Sequence, residues 1–141
     1  KYVEFCIKND IPGYIENPKS SRLWKTKAIQ MLLKHPCTKL VDLDMCQYGT
    51  PWRKPTRLLV FCSHADSIKF HCCSPKGGLC SATHKSHVQL SGVVASGGFQ
   101  TSQAQRYPRK FAESIVRQIF MPPATRPNRR SQEPLVEVGM G

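Results

Sequence analysis

The hydrophobic pattern changes period several times along the chain. Val3, Cys6 and Ile7 fall at helical spacing, which predicts a helix over residues 1–9 that begins upstream. Pro12-Gly13 is a turn signal, and Tyr14-Ile15 then reads as a short apolar strand ending in Glu16-Asn17-Pro18. Ser20 and Ser21 can cap a helix over residues 23–34, whose inward stripe is Leu23, Trp24, Ile29, Leu32 and Leu33. His35-Pro36 stops it. Residues 38–43 read as a second strand and residues 57–61, a run of Leu58, Leu59, Val60 and Phe61, as a third. The turn-rich segment 46–56 between them predicts a hairpin-like pair.

Beyond the third strand the periodicity fades. Residues 62–87 are rich in Cys, His, Ser and Gly, residues 87–94 have room for a short strand, and residues 96–102 read as a polar loop. Tyr107-Pro108 then opens a helix, since Pro is tolerated in the first turn, and Phe111, Ile115 and Ile119, with Ala112 beside them, line one face. From Met121 onward Pro, Arg, Asn and Ser predominate, which predicts a disordered basic tail over 121–141. The organisation expected is one α/β domain over 1–120, carrying a Cys/His-rich loop or insertion at 62–92. There is no internal repeat.

Charge narrows the partners. Lys and Arg number 21 against 9 Asp and Glu, a net charge of +12. That surplus favours a polyanion, and nucleic acid before others, because a positive face releases the counterions of a phosphate backbone. General solubility is the plainer reading of the same charge. No apolar run approaches the ~18 residues of a membrane-spanning helix, and KYVEFCIKND is not a secretory signal. The seven Cys are odd in number and irregularly spaced, unlike a secreted disulfide framework, so a reduced intracellular protein, nuclear or cytoplasmic, is expected.

Two segments can carry chemistry. Glu16, at the carboxyl end of a strand, stands where α/β sheets place ligands and can hold an amino group or a ring nitrogen, although a loop carboxylate before a Pro turn has the same sequence. The second segment is Gln47-Tyr48-Gly49-Thr50-Pro51-Trp52-Arg53-Lys54-Pro55-Thr56-Arg57, in which Arg53, Lys54 and Arg57 can meet phosphates or base edges and Trp52 can stack on a base. An ordinary cationic turn, with Trp52 packed inward, reads equally from it. Cys73-x6-Cys80-x3-His84-x2-His87 offers four ligands to a zinc ion, at spacings irregular for a zinc finger. Pro36-Cys37 reads as a helix stop and a buried thiol.

In this order the segments resemble cytosine-5 DNA methyltransferases. Ile15-Glu16-Asn17-Pro18 is similar to that family's strand ending in Glu-Asn-Val. Tyr48 to Val60 is similar to its Tyr-Gly-x-Pro segment with two Arg before a hydrophobic strand, and Ala104-Gln105-Arg106-Tyr107-Pro108 to its last motif before a helix. Divergent methyltransferase-like proteins of phages and mobile elements are more similar still, with Glu-Asn-Pro, then Cys-x-Tyr-Gly with Lys-Pro-Thr, then a segment like His87-Val88-Gln89-Leu90-Ser91-Gly92. The resemblance spans residues 10–120 and implies the C-terminal portion of a Rossmann-like methyltransferase sheet with flanking helices. It implies that Glu16 holds a cytosine flipped out of the stack. Lys54 and Thr56 would stand for the paired Arg, supported by Arg53 and Arg57, and Gln105 and Arg106 would lie near S-adenosylmethionine.

The departures are specific. Lys54 and Thr56 lack the planar fork of Arg. Neither a Gly-rich cofactor loop nor a Pro-Cys nucleophile precedes Glu16, so methyl transfer is not expected of these residues by themselves. Three functions are therefore weighed: a part of a DNA methyltransferase-like protein that contributes the target-base pocket; a non-enzymatic, basic nucleic-acid-binding module, zinc-stabilised or not; and an unrelated α/β domain.

Overall fold

Local sequence sets the elements of the computed structural model, which describes residues 1–90 and 106–121. Helix α1 covers Tyr2–Lys8 and buries Cys6. After Pro12, strand β1 runs Gly13–Pro18. The helix expected over 23–34 is two pieces, a 3-10 turn at Arg22–Lys25 and α2 at Lys27–Leu32. Two hydroxyl caps in series divide it: Ser21 accepts from the Leu23 amide, and Thr26 accepts from the Ile29 amide while donating to the Leu23 carbonyl. Thr26 is itself extended, at φ −70° and ψ 149°, which ends the first turn before the second begins.

Strand β2 covers Thr38–Asp44, a 3-10 turn follows at Met45–Tyr48, and β3 covers Pro55–Phe61. Both strand pairings of the sheet are antiparallel. Its order is β1-β3-β2, with β3 antiparallel to both neighbours. β1 and β2 therefore run parallel, one on each side of β3, joined by the crossover that carries α2.

The central position of β3 explains its unbroken apolar run. Leu58 and Val60 face one core with Val41, Leu43, Phe111, Ile115 and Ile119. Leu59 and Phe61 face the other with Cys6, Trp24 and Ile29. A strand buried on both faces needs no polar alternation. Phe61 lies so closely over its register partner Gly13 that a Cβ there would meet the ring at 2.5 Å.

The last helix, α3, covers Arg109–Ile115 and continues as a π-turn over Val116–Phe120. Phe111, Ile115 and Ile119 are buried along one face, as their spacing predicts. Gln118 fastens this helix to the loop after β3, donating to the Lys69 carbonyl at 2.7 Å and accepting from the Lys69 amide at 2.8 Å. Residues 87–90 carry no strand, and the rest of the strand expected at 87–94, the loop at 96–102 and the tail from residue 122 lie outside the described residues.

One cross-strand ion pair makes the sheet pH-sensitive. Arg57 meets its register partner Asp42 through two hydrogen bonds, 2.7 and 3.1 Å, and Lys19 adds a contact at 3.4 Å. The Arg57 hydrogen bonds hold the Asp42 carboxyl below its ordinary range, against partial burial. The pair's contribution is therefore complete above about pH 4 and fades as pH falls through the depressed pKa of the folded state. Asp42→Asn is expected to cost about 1 kcal/mol at pH 7 and less at pH 2, measured as paired urea titrations with chelator present. An equal difference at both pH values would refute this assignment.

Candidate metal centre and the adjoining basic cleft

Between His71 and Ser86 the one aliphatic residue larger than Ala is Leu79, and thiols stand in for a core. Cys46, Cys73 and Cys80 form a small buried cluster of their own. With His87 they present three sulfurs and one ring nitrogen, all within 4.8 Å of one another. The Cys73 and Cys80 sulfurs are 3.9 Å apart, and the Cys73 sulfur lies 3.7 Å from His87 Nε2. A tetrahedron of ligands about 2.3 Å from zinc has edges of about 3.8 Å, so this donor set fits that ion in both chemistry and spacing.

Each donor arrives on a different support. Cys46 sits in the 3-10 turn that ends β2, beside Gln47, whose amide reaches the Cys46 sulfur at 3.4 Å and the Ser81 hydroxyl at 3.1 Å. Cys73 is held by its amide, which donates to Asp44 Oδ2 at 2.7 Å. Cys80 begins a tight loop closed by Cys80 N to Lys85 O and His84 N to Cys80 O, both 2.9 Å. Burial opposes the Cys80 thiolate, but the amide and hydroxyl of Thr83 and the amide of Ala82 outweigh it and bring its pKa to about 6. Burial raises that of Cys46 to about 12, with the neighbouring thiols adding to it. None of the seven cysteines is in a disulfide.

The expected ligand set is corrected at one position. Cys73, Cys80 and His87 come together, but the fourth donor is Cys46 and not His84. His84 is exposed and turns the loop, at φ +58°. Cys46 escaped the sequence reading because it lies a whole strand upstream, inside a segment read for its Tyr-Gly-x-Pro pattern. Its placement directly after an apolar strand was the available signal.

The Cys/His cluster adjoins a cleft of about 400 Å³ between Trp52, Arg53, Lys54 and Pro55 on one side and His87, Val88, Gln89 and Leu90 on the other. Val88 N donates to the Pro51 carbonyl at 2.9 Å, which joins the two walls. Trp52 packs partly into the core and also lines the cleft. Arg53 is half-exposed and pairs with Asp44 at 3.3 Å. Lys54 stands in the left-handed region at φ +41°.

The other anticipated residues are distributed as follows. Thr56 is fully buried and donates to the Lys54 carbonyl at 3.0 Å, so it braces the loop from inside. Arg57 is committed to Asp42, as above. Glu16 lies on β1 beside Leu58 of β3 and accepts a hydrogen bond of 3.0 Å from the Tyr107 hydroxyl, 91 positions away in the chain. Burial and that carboxylate both raise the Tyr107 pKa, which keeps the phenol protonated as a donor. Among the described residues the lining of the basic cleft does not include Glu16. Tyr107 in turn packs on Phe111 at 5.2 Å, and Phe111 on Tyr48 at 5.7 Å. Trp24 is core, its indole donating to the Pro18 carbonyl at 2.8 Å. Arg106 is exposed, and Gln105 lies outside the described residues.

No family model matches the chain, and no curated protein or solved structure matches it either. No helix among the described residues is long and apolar enough to cross a membrane.

Proposed function

We propose that this chain is the target-base portion of a DNA (cytosine-5) methyltransferase-like protein, binding DNA through its basic cleft and a flipped cytosine at Glu16. The observation that carries this reading is the Tyr107–Glu16 hydrogen bond. It joins two segments that resemble separate motifs of the family. Gly49 closes the turn after Tyr48 in the left-handed region, at φ +99°, the tight backbone path that a Tyr-Gly segment of this kind needs. The crossover between parallel β1 and β2 is compatible with a piece of a larger α/β sheet.

In this reading Tyr107 orients the carboxylate and Glu16 accepts from the cytosine amino group. Arg53 and Lys54 hold the backbone beside it. S-adenosylmethionine enters through the resemblance alone, near Gln105 and Arg106, with the nucleophile and the Gly-rich loop coming from outside these residues.

A duplex carrying an unpaired cytosine tests the reading, because extrusion is cheapest where pairing is already lost. The chain is expected to prefer it over a matched duplex by about tenfold, a saving of about 1.4 kcal/mol. Glu16→Ala should abolish that preference and leave matched-duplex affinity unchanged. Lys54→Ala should weaken both duplexes alike and reduce the salt slope by about one. Equal affinity for the two duplexes in the wild type sinks the base pocket. It would leave the second reading, a non-enzymatic basic nucleic-acid-binding module, which the net charge of +12 and the cleft favour.

A further inference from the structure

We infer that Cys46, Cys73, Cys80 and His87 form a closed structural zinc site that fastens the segment from His71 to Leu90 onto the end of β2. The metal site stands independently of the DNA reading.

Three features carry it. The first is the donor set. Three sulfurs and one imidazole fill a tetrahedron with protein ligands, so no coordination position remains for substrate, as in structural sites. The second is the support around the sulfurs. Ala82 N approaches the Cys80 sulfur at 3.4 Å, Gln47 Nε2 the Cys46 sulfur at 3.4 Å and Ser81 Oγ the Cys73 sulfur at 3.6 Å. Donors aimed at sulfur suit thiolates, which the ion requires and which form with release of the thiol protons.

The third feature is what the segment otherwise lacks. Between His71 and Leu90 its only ladder is one isolated bridge, Lys76 with Leu79, and its buried side chains are Cys73 and Cys80. A loop of this length without a core of its own needs another source of order, and metal binding supplies it as folding free energy. Because His87 is a ligand and Val88 to Leu90 follow it directly, the ion also sets one wall of the basic cleft.

The test uses the full chain, purified under reducing conditions with zinc present. One zinc per chain is expected, and cobalt added to the apoprotein should give the visible absorption of tetrahedral thiolate coordination. Chelation should accelerate hydrogen exchange at the amides of Cys80, His84 and Val88 while Leu58 to Val60 stay protected. His87→Ala should weaken cobalt binding by more than about 100-fold, beyond the loss seen when only a supporting contact is removed. His84→Ala should bind as the wild type does. The inference is overturned by a metal-free protein without cobalt absorption, by a Cys73–Cys80 disulfide in place of the metal, or by His84→Ala and His87→Ala behaving alike. Loss of DNA binding in every form would remove the proposed function and leave these readouts untouched.

Discussion

Phe111→Ala is expected to lower the stability of the domain by about 3–5 kcal/mol. Phe111 is fully buried and is the largest such side chain among the described residues. Its ring meets Tyr48 at 5.7 Å, Phe70 at 6.1 Å and Tyr107 at 5.2 Å, two of them edge-on. Truncation therefore removes the apolar area of the ring and aromatic contacts of about 0.5–1.5 kcal/mol each, and the rigid neighbours cannot collapse into the gap. Against a total stability of about 5–15 kcal/mol, this loss leaves much of the population unfolded under mild denaturant. Phe120→Ala makes the contrast: that ring is 46% exposed and touches Tyr14 by one edge at 6.4 Å, so a cost of about 1 kcal/mol is expected. Urea midpoints of the two variants, read with metal content held constant, check the ranking. Equal midpoints would show that the helix is not anchored through Phe111.

Much of this fold was legible because its signals are local. The run Leu58 to Phe61 reads directly as a strand, and burial on both faces is the reason for its lack of alternation. The spacing of Phe111, Ile115 and Ile119 placed the last helix and its inner face. The split at Thr26 was less visible. A helical stripe continues through residues 22–32, and only the cap geometry of Thr26 interrupts it. Pairing order was legible only for β2 and β3, whose hairpin-like pairing was expected and forms. Adjacent strands in sequence suggested a simple hairpin of β2 and β3, whereas β1 also pairs with β3 and makes it the central strand.

For the site the division follows distance along the chain. Cys73, Cys80 and His87 fall within one short window, and their types alone suggested a metal. Cys46 did not, because its approach depends on how β2 delivers the turn at Met45–Tyr48 beneath the later loop. Thr56 and Arg57 were read as ligand-facing from the position of a motif. Strand alternation sends Thr56 into the core and Arg57 onto Asp42, and neither outcome depends on the basic character of the segment. The Glu16–Tyr107 contact likewise required the last helix to pack across the sheet.

Asp44→Ala is the second substitution with a large expected effect, and it links the sheet to the metal centre. Asp44 ends β2 and is buried, 3% exposed, with each carboxylate oxygen in use. One accepts from the Cys73 amide at 2.7 Å, and the other meets Arg53 at 3.3 Å. Its own amide donates to the His71 carbonyl at 3.0 Å, so the start of the segment that carries Cys73, Cys80 and His87 is tied to this single residue. Alanine keeps the backbone bond but leaves the Cys73 amide buried without an acceptor, which costs about 1–3 kcal/mol. Because that amide fixes where Cys73 presents its sulfur, zinc affinity is expected to fall by about 10–100-fold. Asn can still accept from Cys73 with its carbonyl oxygen and gives up only the charge facing Arg53, which is open to solvent. Asp44→Asn should therefore stay within a few-fold of wild type in a competition titration against a chromophoric chelator. If Ala binds zinc as the wild type does, Asp44 does not position Cys73. If Asn is as weak as Ala, charge and not the hydrogen bond controls the site, and the ion pair with Arg53 becomes the link between the metal and the basic cleft.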